Sequence, residues 1–172
     1  MNLESERLIL RECEMRDKQV LFDLFTEKHV RVYDEYMPSD MDGVEKYIQY
    51  KIENAKSDNQ THFNYIFELK ETGEVVGVAG YFYVDESIYE LEYFAREKFW
   101  NQGYMTEAVS RILEYVRLNH EKVKKIFAIC QTENKNSERV MIKCGMKKST
   151  EQPQPKKYHG VYKERVRYEI NF

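Results

Sequence analysis

Hydrophobic and polar residues change their spacing abruptly near the middle of the chain. Over residues 88–95 alternate side chains belong to opposite faces, which is the period of a β-strand. Over residues 104–119 apolar side chains recur at intervals of three and four, which predicts an amphipathic helix. Gly103 lies where the chain enters this helix, whose first N–H groups have no intrahelical partners. A strand, a glycine turn and a helix N-terminus in this order form a potential anion site.

The same patterns predict elements along the rest of the chain. Strands are expected at 6–12, 62–69, 75–84, 124–131 and 166–170, and helices after Asp17, after Asp40 or Asp42, and after 132–137. Residues 28–43 place Pro38 among many Tyr, Asp and Glu residues and predict a loop. Near the C-terminus, His159-Gly160 predicts the tip of a hairpin.

These elements define a fold class. Short turns join the strands between residues 62 and 95, which indicates an antiparallel meander, and the helix that follows indicates a crossover to the next strand. We therefore expect an α+β, or mixed α/β, fold with a largely antiparallel central sheet of about six to seven strands and helices on both faces. No linker or internal repeat interrupts the chain, so a single domain is expected over residues 1–172.

Composition removes several classes of function. The net charge is −3 although 33% of the residues are charged, whereas a general nucleic-acid-binding protein would be basic. No apolar run reaches the roughly 20 residues that span a bilayer, and the first residues lack the apolar core of a secretory signal. The cysteines and histidines show no metal-binding spacing. We expect a cytoplasmic monomer or homodimer that needs no metal, membrane or nucleic acid.

Two segments together resemble a known enzyme family. Residues 91–109 (LEYFAREKFWNQGYMTEAV) and 132–148 (TENKNSERVMIKCGMKK) have the order and spacing of motifs in the GNAT superfamily of acyl-CoA-dependent N-acetyltransferases. The chain is similar to the branch of the ribosomal-protein N-terminal acetyltransferases, and the likeness covers essentially its whole length. Met105 stands where the superfamily usually has a small residue, and Met141 stands where many members have a tyrosine.

The resemblance implies acetyl-CoA as the cosubstrate, with no metal. In the family, a bulge splays the central strand from its neighbour, and the pantetheine arm of CoA inserts there like an additional strand. The pyrophosphate lies on the N–H groups that begin the next helix. In this chain the residues expected to bind CoA are Tyr93, Phe94, Ala95, Arg96, Gln102, Gly103, Tyr104, Met105, Thr106, Asn134 and Ser137.

The resemblance also implies direct attack by a primary amine on the thioester. Such an amine is charged at pH 7, and freeing its lone pair costs about 4 kcal/mol. A carboxylate acting through a water would take the proton, and Glu92 is our first candidate and Glu90 our second. An N–H group near Phe94 or Ala95 would stabilise the oxyanion. Ser137 is expected to assist the CoA thiolate, as in the branch that the chain resembles.

Several acceptors fit this chemistry. A protein N-terminus and a small amine are both candidates, and a non-catalytic acyl-CoA-binding module is the alternative from another class of function. Lys156 occupies the position of an acid that members of the branch use in the C-terminal hairpin. An acidic, aromatic segment is either a solvated loop or a lip that receives a cationic amine; its residues are Tyr33, Asp34, Glu35, Tyr36 and Asp40.

Overall fold

A computed structural model describes residues 2–172, so Met1 of the expected domain lies outside the described residues. The helices are α1 (Lys18–Thr26), α2 (Lys28–Tyr33), α3 (Met41–Ala55), α4 (Tyr104–Asn119) and α5 (Lys135–Lys143). The strands are β1 (Leu3–Glu4), β2 (Leu8–Arg11), β3 (His62–Leu69), β4 (Val75–Asp85), β5 (Ile88–Ala95), β6 (Lys125–Gln131), β7 (Lys147–Lys148), β8 (Lys156–Tyr158), β9 (Val161–Lys163) and β10 (Arg165–Asn171).

The described strands form one large sheet and one small hairpin. The large sheet has the order β1-β2-β3-β4-β5-β6-β10-β7, and β8 pairs only with β9. Every neighbouring pair is antiparallel except β5 and β6, which α4 joins as a crossover. β1 and β7 have two residues each, and the other six strands of the sheet agree with the expected number. The predicted mixed α/β fold is confirmed.

Helices cover both faces of this sheet because its strands are apolar on both sides. One core cluster joins α4 and α5 to alternate residues of the central strands, such as Phe67 and Tyr81. The other joins α1, α2 and α3 to the residues between them, such as Ile66 and Val78. The period of two therefore sends neighbouring residues of one strand into different cores. No helix within residues 2–172 is long and apolar enough to cross a membrane.

The central strands β5 and β6 diverge. Their pairing ends at Glu90 and Phe127, although β5 continues to Ala95 and β6 to Gln131. The opening was expected, but the bulge in β5 was not found: its register with β4 is continuous from Gly77–Ala95 to Tyr83–Tyr89. Each strand remains fully paired on its other side, β5 with β4 and β6 with β10, so the twist of the sheet can separate the two halves without a bulge.

Two local features of the fold concern helix α2 and the glycines of β4. The loop predicted over 28–43 was partly wrong, because its first residues form α2. Val30 is only 2% exposed and anchors this short helix in the core. The glycines of β4 allow the neighbouring strands to approach closely, since a Cβ at Gly77 would lie 2.2 Å from the carbonyl oxygen of Phe94. At Gly80 it would lie 2.4 Å from the carbonyl oxygen of Phe63.

Candidate active site

A cavity of about 300 Å³ lies at the opening between β5 and β6. The N-termini of α4 and α5 reach it, so one space joins the open strand edge to two helix starts. Among the described residues its lining contains two cations, Arg139 and Lys143, and no carboxylate. The other lining residues are His29, Val30, Tyr33, Tyr93, Phe94, Ala95, Phe99, Trp100, Asn101, Gly103, Tyr104, Met105, Thr106, Asn134, Asn136, Ser137 and Val140.

The open edge of β5 presents backbone groups of alternate residues. Arg96 N–H donates to the Val76 carbonyl on β4 at 2.9 Å, so the antiparallel pattern also directs the backbone of Phe94 toward β4. The N–H and C=O groups of Tyr93 and Ala95 therefore face the opening. The carbonyl of Ala95 is already used, because the indole Nε1 of Trp100 donates to it at 3.0 Å. The N–H of Ala95 and both groups of Tyr93 remain directed at the cavity.

His29, which the sequence did not suggest, closes one side of this edge. Its Nε2 lies 3.0 Å from the carbonyl oxygen of Ala95, and its ring packs edge-on against Trp100 with centroids 4.3 Å apart. The two rings thus hold the end of β5 from α2 and from the turn before α4. The residue lies 66 positions before Ala95 in the chain, so no local pattern could reveal the contact.

The N-terminus of α4 is open toward the cavity. Gly103 has φ of +83° and carries no side-chain cap, so the first N–H groups of the helix have no competing acceptor there. The left-handed conformation favours glycine. A Cβ at this position would lie 3.4 Å from a guanidinium nitrogen of Arg7, which also donates to the Gln102 carbonyl at 3.0 Å. The turn is therefore both free for an anion and flanked by a cation.

Glu107 fixes α4 to the start of the chain. Its carboxylate accepts from the Ser5 hydroxyl, the Arg7 backbone N–H and Arg7 Nε, each at 2.7 Å. Burial opposes the charged form, but these hydrogen bonds outweigh it and lower the pKa of Glu107. The acidic residue of the quoted motif is thus a structural link between α4 and the segment before β2.

The N-terminus of α5 places a hydroxyl pair beside the opening. Asn134 caps the helix, because its Oδ1 accepts from Ser137 N–H at 3.1 Å. The Ser137 hydroxyl lies 2.9 Å from the phenol oxygen of Tyr93, which approaches from β5. Gly145 ends the helix with φ of +81°, and Met146 N–H returns to the Met141 carbonyl, as in a Schellman motif. The helix expected after residues 132–137 begins within that run, at Lys135.

The carboxylates proposed as bases lie on the other face of β5. Glu92 Oε1 accepts from Asn64 Nδ2 at 2.9 Å, although Asn64 belongs to β3 and β4 runs between them. Gly80 pairs with both residues and has no side chain, so the two can meet above it. Lys51 Nζ of α3 lies 3.7 Å from the same oxygen. The sequence did not indicate Asn64 or Lys51, because their positions depend on strand register and helix packing.

Glu90 lies one pleat earlier on the same face. Burial and the neighbouring charge of Glu92 raise the pKa of Glu90, against the opposing influence of Arg165 and Arg167. Glu90 is also the last residue of β5 that pairs with β6. Neither Glu90 nor Glu92 lines the cavity. A base at either position would act from the face of β5 that is turned toward α1–α3, which we call the acceptor side.

The acidic and aromatic segment that begins at the last residue of α2 divides into different parts. Tyr33 lines the cavity. Burial raises the pKa of Asp34, which is also close enough to Glu92 for their charges to interact. Asp40 is a helix cap, since its Oδ1 accepts from Gly43 N–H at 2.7 Å. The segment therefore contributes Tyr33 and Asp34 to the site and uses Asp40 to start α3.

The hairpin of β8 and β9 contacts the same segment. His159 N–H, at the predicted tip, donates to Glu35 Oε2 at 2.8 Å. Lys156 Nζ lies 4.4 Å from the ring centroid of Tyr36, a cation–π contact. The lysine at the position of the branch's acid thus helps to hold the hairpin against this segment.

The structure brings together most of the residues expected to bind CoA. Arg96 and Gln102 do not line the cavity; the Arg96 guanidinium instead donates to the Val75 carbonyl at 3.3 Å. Residues that the prediction omitted also line it, among them Asn101, Asn136 and Arg139. Arg139 lies within the second quoted motif, and its spacing of four from Lys143 could have indicated a basic helix face.

One group of potential metal ligands lies near the site. Ligand atoms of Glu27, His29 and Glu97 all lie within 4.8 Å of one another. Glu27 Oε2 accepts from Glu97 N–H at 2.9 Å, and His29 also contacts Ala95, so these groups serve local structure. We assign no ion to this group.

Comparison with known proteins now decides the family. The family model described as an acetyltransferase (GNAT) domain matches residues 7–147. The chain belongs to the GNAT acetyltransferase family. An uncharacterized N-acetyltransferase of Bacillus subtilis (strain 168), YnaD, is 32% identical over 151 residues, which cover 86% of this chain and 84% of that protein. The expected family and enzyme class are confirmed: the protein is an acetyltransferase.

Solved structures share this fold at low sequence identity. RimL, a ribosomal α-N-protein acetyltransferase in complex with coenzyme A, is 15% identical and superposes with a TM-score of 0.87 over 99% of this chain and 98% of that chain. Spermidine N-acetyltransferase from Vibrio cholerae, in complex with CoA and spermine, is 16% identical with a TM-score of 0.79, over 95% of each chain. At these identities the comparison concerns the fold alone.

Proposed function

We propose that this GNAT protein transfers an acetyl group from acetyl-CoA to a primary amine by direct attack. The observation that carries the proposal is the single cavity that joins an open strand edge to the N-termini of α4 and α5. A lining that contains Arg139 and Lys143 but, among the described residues, no carboxylate suits an anionic ligand. Acetyl-CoA fits this combination, and when bound it supplies an acetyl group activated as a thioester.

Each part of the cavity suits one part of that molecule. The unpartnered N–H groups after Gly103 suit the pyrophosphate. The N–H and C=O groups of Tyr93 suit the amides of the pantetheine arm, by the same hydrogen bonds that pair two strands. The cationic side chains of Arg139 and Lys143 suit a further phosphate. In this assignment Phe94 contributes its side chain only, because its backbone is directed to β4.

The reaction requires the amine to lose a proton and the sulfur to leave. The amine nitrogen forms a bond to the acetyl carbonyl carbon, its excess proton passes to a carboxylate, and the bond from that carbon to sulfur breaks to give a thiolate. Glu92 remains our first candidate for the base and Glu90 our second. Ala95 N–H is the oxyanion donor that the open edge offers. Ser137 donates to the leaving sulfur.

The acceptor side offers carboxylates to a cationic amine, beside the lysine and arginine side chains that already neighbour them. Asp34, Glu90 and Glu92 interact through their charges on one side of β5, and a primary ammonium group would be attracted there before it loses its proton. A protein N-terminus and a small amine both fit. RimL, by its name, acts on a protein N-terminus and the Vibrio cholerae enzyme acts on spermidine, so the fold accommodates both kinds of acceptor.

A thermal-shift titration tests the cofactor first. Acetyl-CoA or CoA at a hundredfold its dissociation constant should add about 2.7 kcal/mol of stability, and ATP should add much less. A panel of primary amines and peptide N-termini, with free CoA thiol as the readout, then tests transfer. No stabilisation of well-folded protein by acetyl-CoA would overturn the proposal. Strong binding without transfer to any amine would favour a non-catalytic acyl-CoA-binding module instead.

A further inference from the structure

The leaving-group end of the site lacks the tyrosine that many GNAT enzymes carry on the corresponding helix. Met141 occupies that position in α5 and is 0% exposed, with its side chain in the core. It can neither reach the cavity nor donate a hydrogen bond. Any donor to the departing sulfur must therefore come from elsewhere in the described lining.

Tyr93 of β5 brings a phenol to this place from the opposite wall. Its side chain points toward α5, and its oxygen lies 2.9 Å from Ser137 Oγ and 3.0 Å from the Ser137 carbonyl oxygen. Both residues line the cavity. The Ser137 backbone is held in position, because its N–H donates to the side-chain oxygen of Asn134. The phenol and the hydroxyl thus form a fixed pair at the edge of the opening.

The hydrogen-bond count allows this pair two arrangements. The phenol has one proton and two acceptors in reach, the carbonyl and Oγ of Ser137. If the phenol donates to the carbonyl, the serine proton can turn back to the phenol oxygen. If the phenol donates to Oγ, the serine proton is free to turn to another acceptor, which is either the Cys130 sulfur, a hydrogen-bond partner of the Ser137 side chain, or a group in the cavity. Only the second arrangement offers Ser137 as a donor to another group.

We propose that Tyr93 is a positioning residue for the leaving group: its phenol donates to Ser137 Oγ and thereby turns the Ser137 hydroxyl toward the departing CoA sulfur. This role rests on the proposed acetyl transfer and adds a second residue to its leaving-group end. Tyr93 does not touch the sulfur and acts through Ser137. The pair replaces, from two different elements, the single helical tyrosine of other members.

The protonation states of neighbouring groups agree with a donor that keeps its proton. Burial raises the pKa of Tyr93 far above its ordinary value, so the phenol remains protonated at neutral pH. A free thiol has a pKa near 8.5, so the CoA thiolate is a good leaving group that needs only a hydrogen bond. The nearby Cys130 thiol does not compete as an anion, because burial raises its pKa to about 11.

A double-mutant cycle on the rate of a single turnover tests this role. Tyr93→Phe keeps the ring and the backbone that faces the opening, and removes only the hydroxyl. We expect it to lower the rate at saturating substrates by about 3- to 10-fold, the value of one hydrogen bond, and to change the KM for acetyl-CoA less than twofold. Placed in a Ser137→Ala background, the same substitution should change the rate less than twofold.

Controls separate this role from general packing. Tyr89→Phe removes a hydroxyl from the same face of β5 at its other end, within an aromatic cluster remote from the cavity, and should leave the rate unchanged. Ser137→Thr keeps a hydroxyl and should keep the dependence on Tyr93. If Tyr93→Phe lowers the rate equally in the wild-type and Ser137→Ala backgrounds, or lowers it in neither, the positioning role of Tyr93 is overturned and the proposed function is not. Wild-type protein that binds acetyl-CoA but transfers no acetyl group would overturn the proposed function itself.

Discussion

The two faces of β5 are built in different ways. On the face toward α4 and α5, aromatic and aliphatic side chains line the cavity together with exposed backbone groups, and its key positions are the helix starts at Gly103 and Asn134. On the face toward α1–α3, which we call the charged face, the polar groups are side chains from different elements: Glu92 accepts from Asn64 above Gly80 and lies 3.7 Å from Lys51 Nζ. A common ligand can be bound by geometry that the backbone supplies, whereas an acceptor is selected by side chains that can vary.

The largest effect is expected on the charged face. Glu92→Gln keeps the size of the side chain and an oxygen for Asn64, but removes the proposed base, so kcat/KM should fall about 10²- to 10⁴-fold. Stabilisation by acetyl-CoA should remain, because the carboxylate does not line the cavity. Glu90→Gln is the matched variant on the same strand face. Full turnover in Glu92→Gln with a loss in Glu90→Gln would transfer the role to Glu90.

The second-largest effect is expected in the cavity, at the N-terminus of α4. Gly103→Glu should abolish the roughly 2.7 kcal/mol that acetyl-CoA adds at a hundredfold its dissociation constant, because a negative side chain would occupy the proposed phosphate position. Gly145→Glu is the control, since Gly145 has a similar φ of +81° but open space around it. Both variants carry the strain of a left-handed residue. The assignment fails if the Gly103 variant still responds to acetyl-CoA in a thermal-shift titration.

A smaller effect tests how the charged face is assembled. A Cβ at Gly80 would lie 2.4 Å from the Phe63 carbonyl oxygen and 2.7 Å from Asn64 Nδ2. Gly80→Ala should therefore lower the free energy of unfolding by about 1–3 kcal/mol and disturb the contact of Asn64 with Glu92. Urea denaturation measures the first and kcat the second. Gly77→Ala crowds the other face of β4 and should cost stability without moving Asn64; an unchanged kcat in Gly80→Ala would separate that contact from catalysis.

The smallest effect compares one helix cap from each face. Asn134→Ala and Asp40→Ala each remove a side-chain oxygen that accepts from a backbone N–H, at 3.1 Å and 2.7 Å respectively. Each should cost about 1 kcal/mol of stability. Only Asn134→Ala should also weaken acetyl-CoA binding, because only Asn134 lines the cavity. Equal acetyl-CoA affinities in the two variants, measured by calorimetry, would limit Asn134 to its structural role.

The two faces also differ in how far the sequence could predict them. Gly103 is a glycine at the start of a helix, and Asn134 is a cap whose side chain binds the N–H of Ser137, three residues later. Both signals depend only on neighbouring residues in the chain. The sequence prediction reached these positions and the structure places them in one cavity. It included Arg96 as well, because the sequence does not show which residues of a strand turn their backbone to the open edge.

For the charged face, the sequence indicates candidate residues but not their partners. The alternation of β5 put Glu90 and Glu92 on one face, but their partners come from other elements: Asn64 lies 28 positions before Glu92, and Lys51 comes from α3. A shift of the register by one residue would have sent Asn64 into the other core. The same limit applies to α2, whose six residues are too few to form a stable helix without tertiary contacts.

Periodicity and motif spacing are properties of neighbouring residues, so they predicted the longer strands and helices, the crossover through α4 and the family. Only the tertiary structure decided that β5 and β6 separate without a bulge, that His29 and Trp100 hold the end of β5, and that Tyr93 meets Ser137 across the opening. These contacts join residues brought together by sheet register and helix packing. Their energies depend on distances that no stretch of the chain encodes alone.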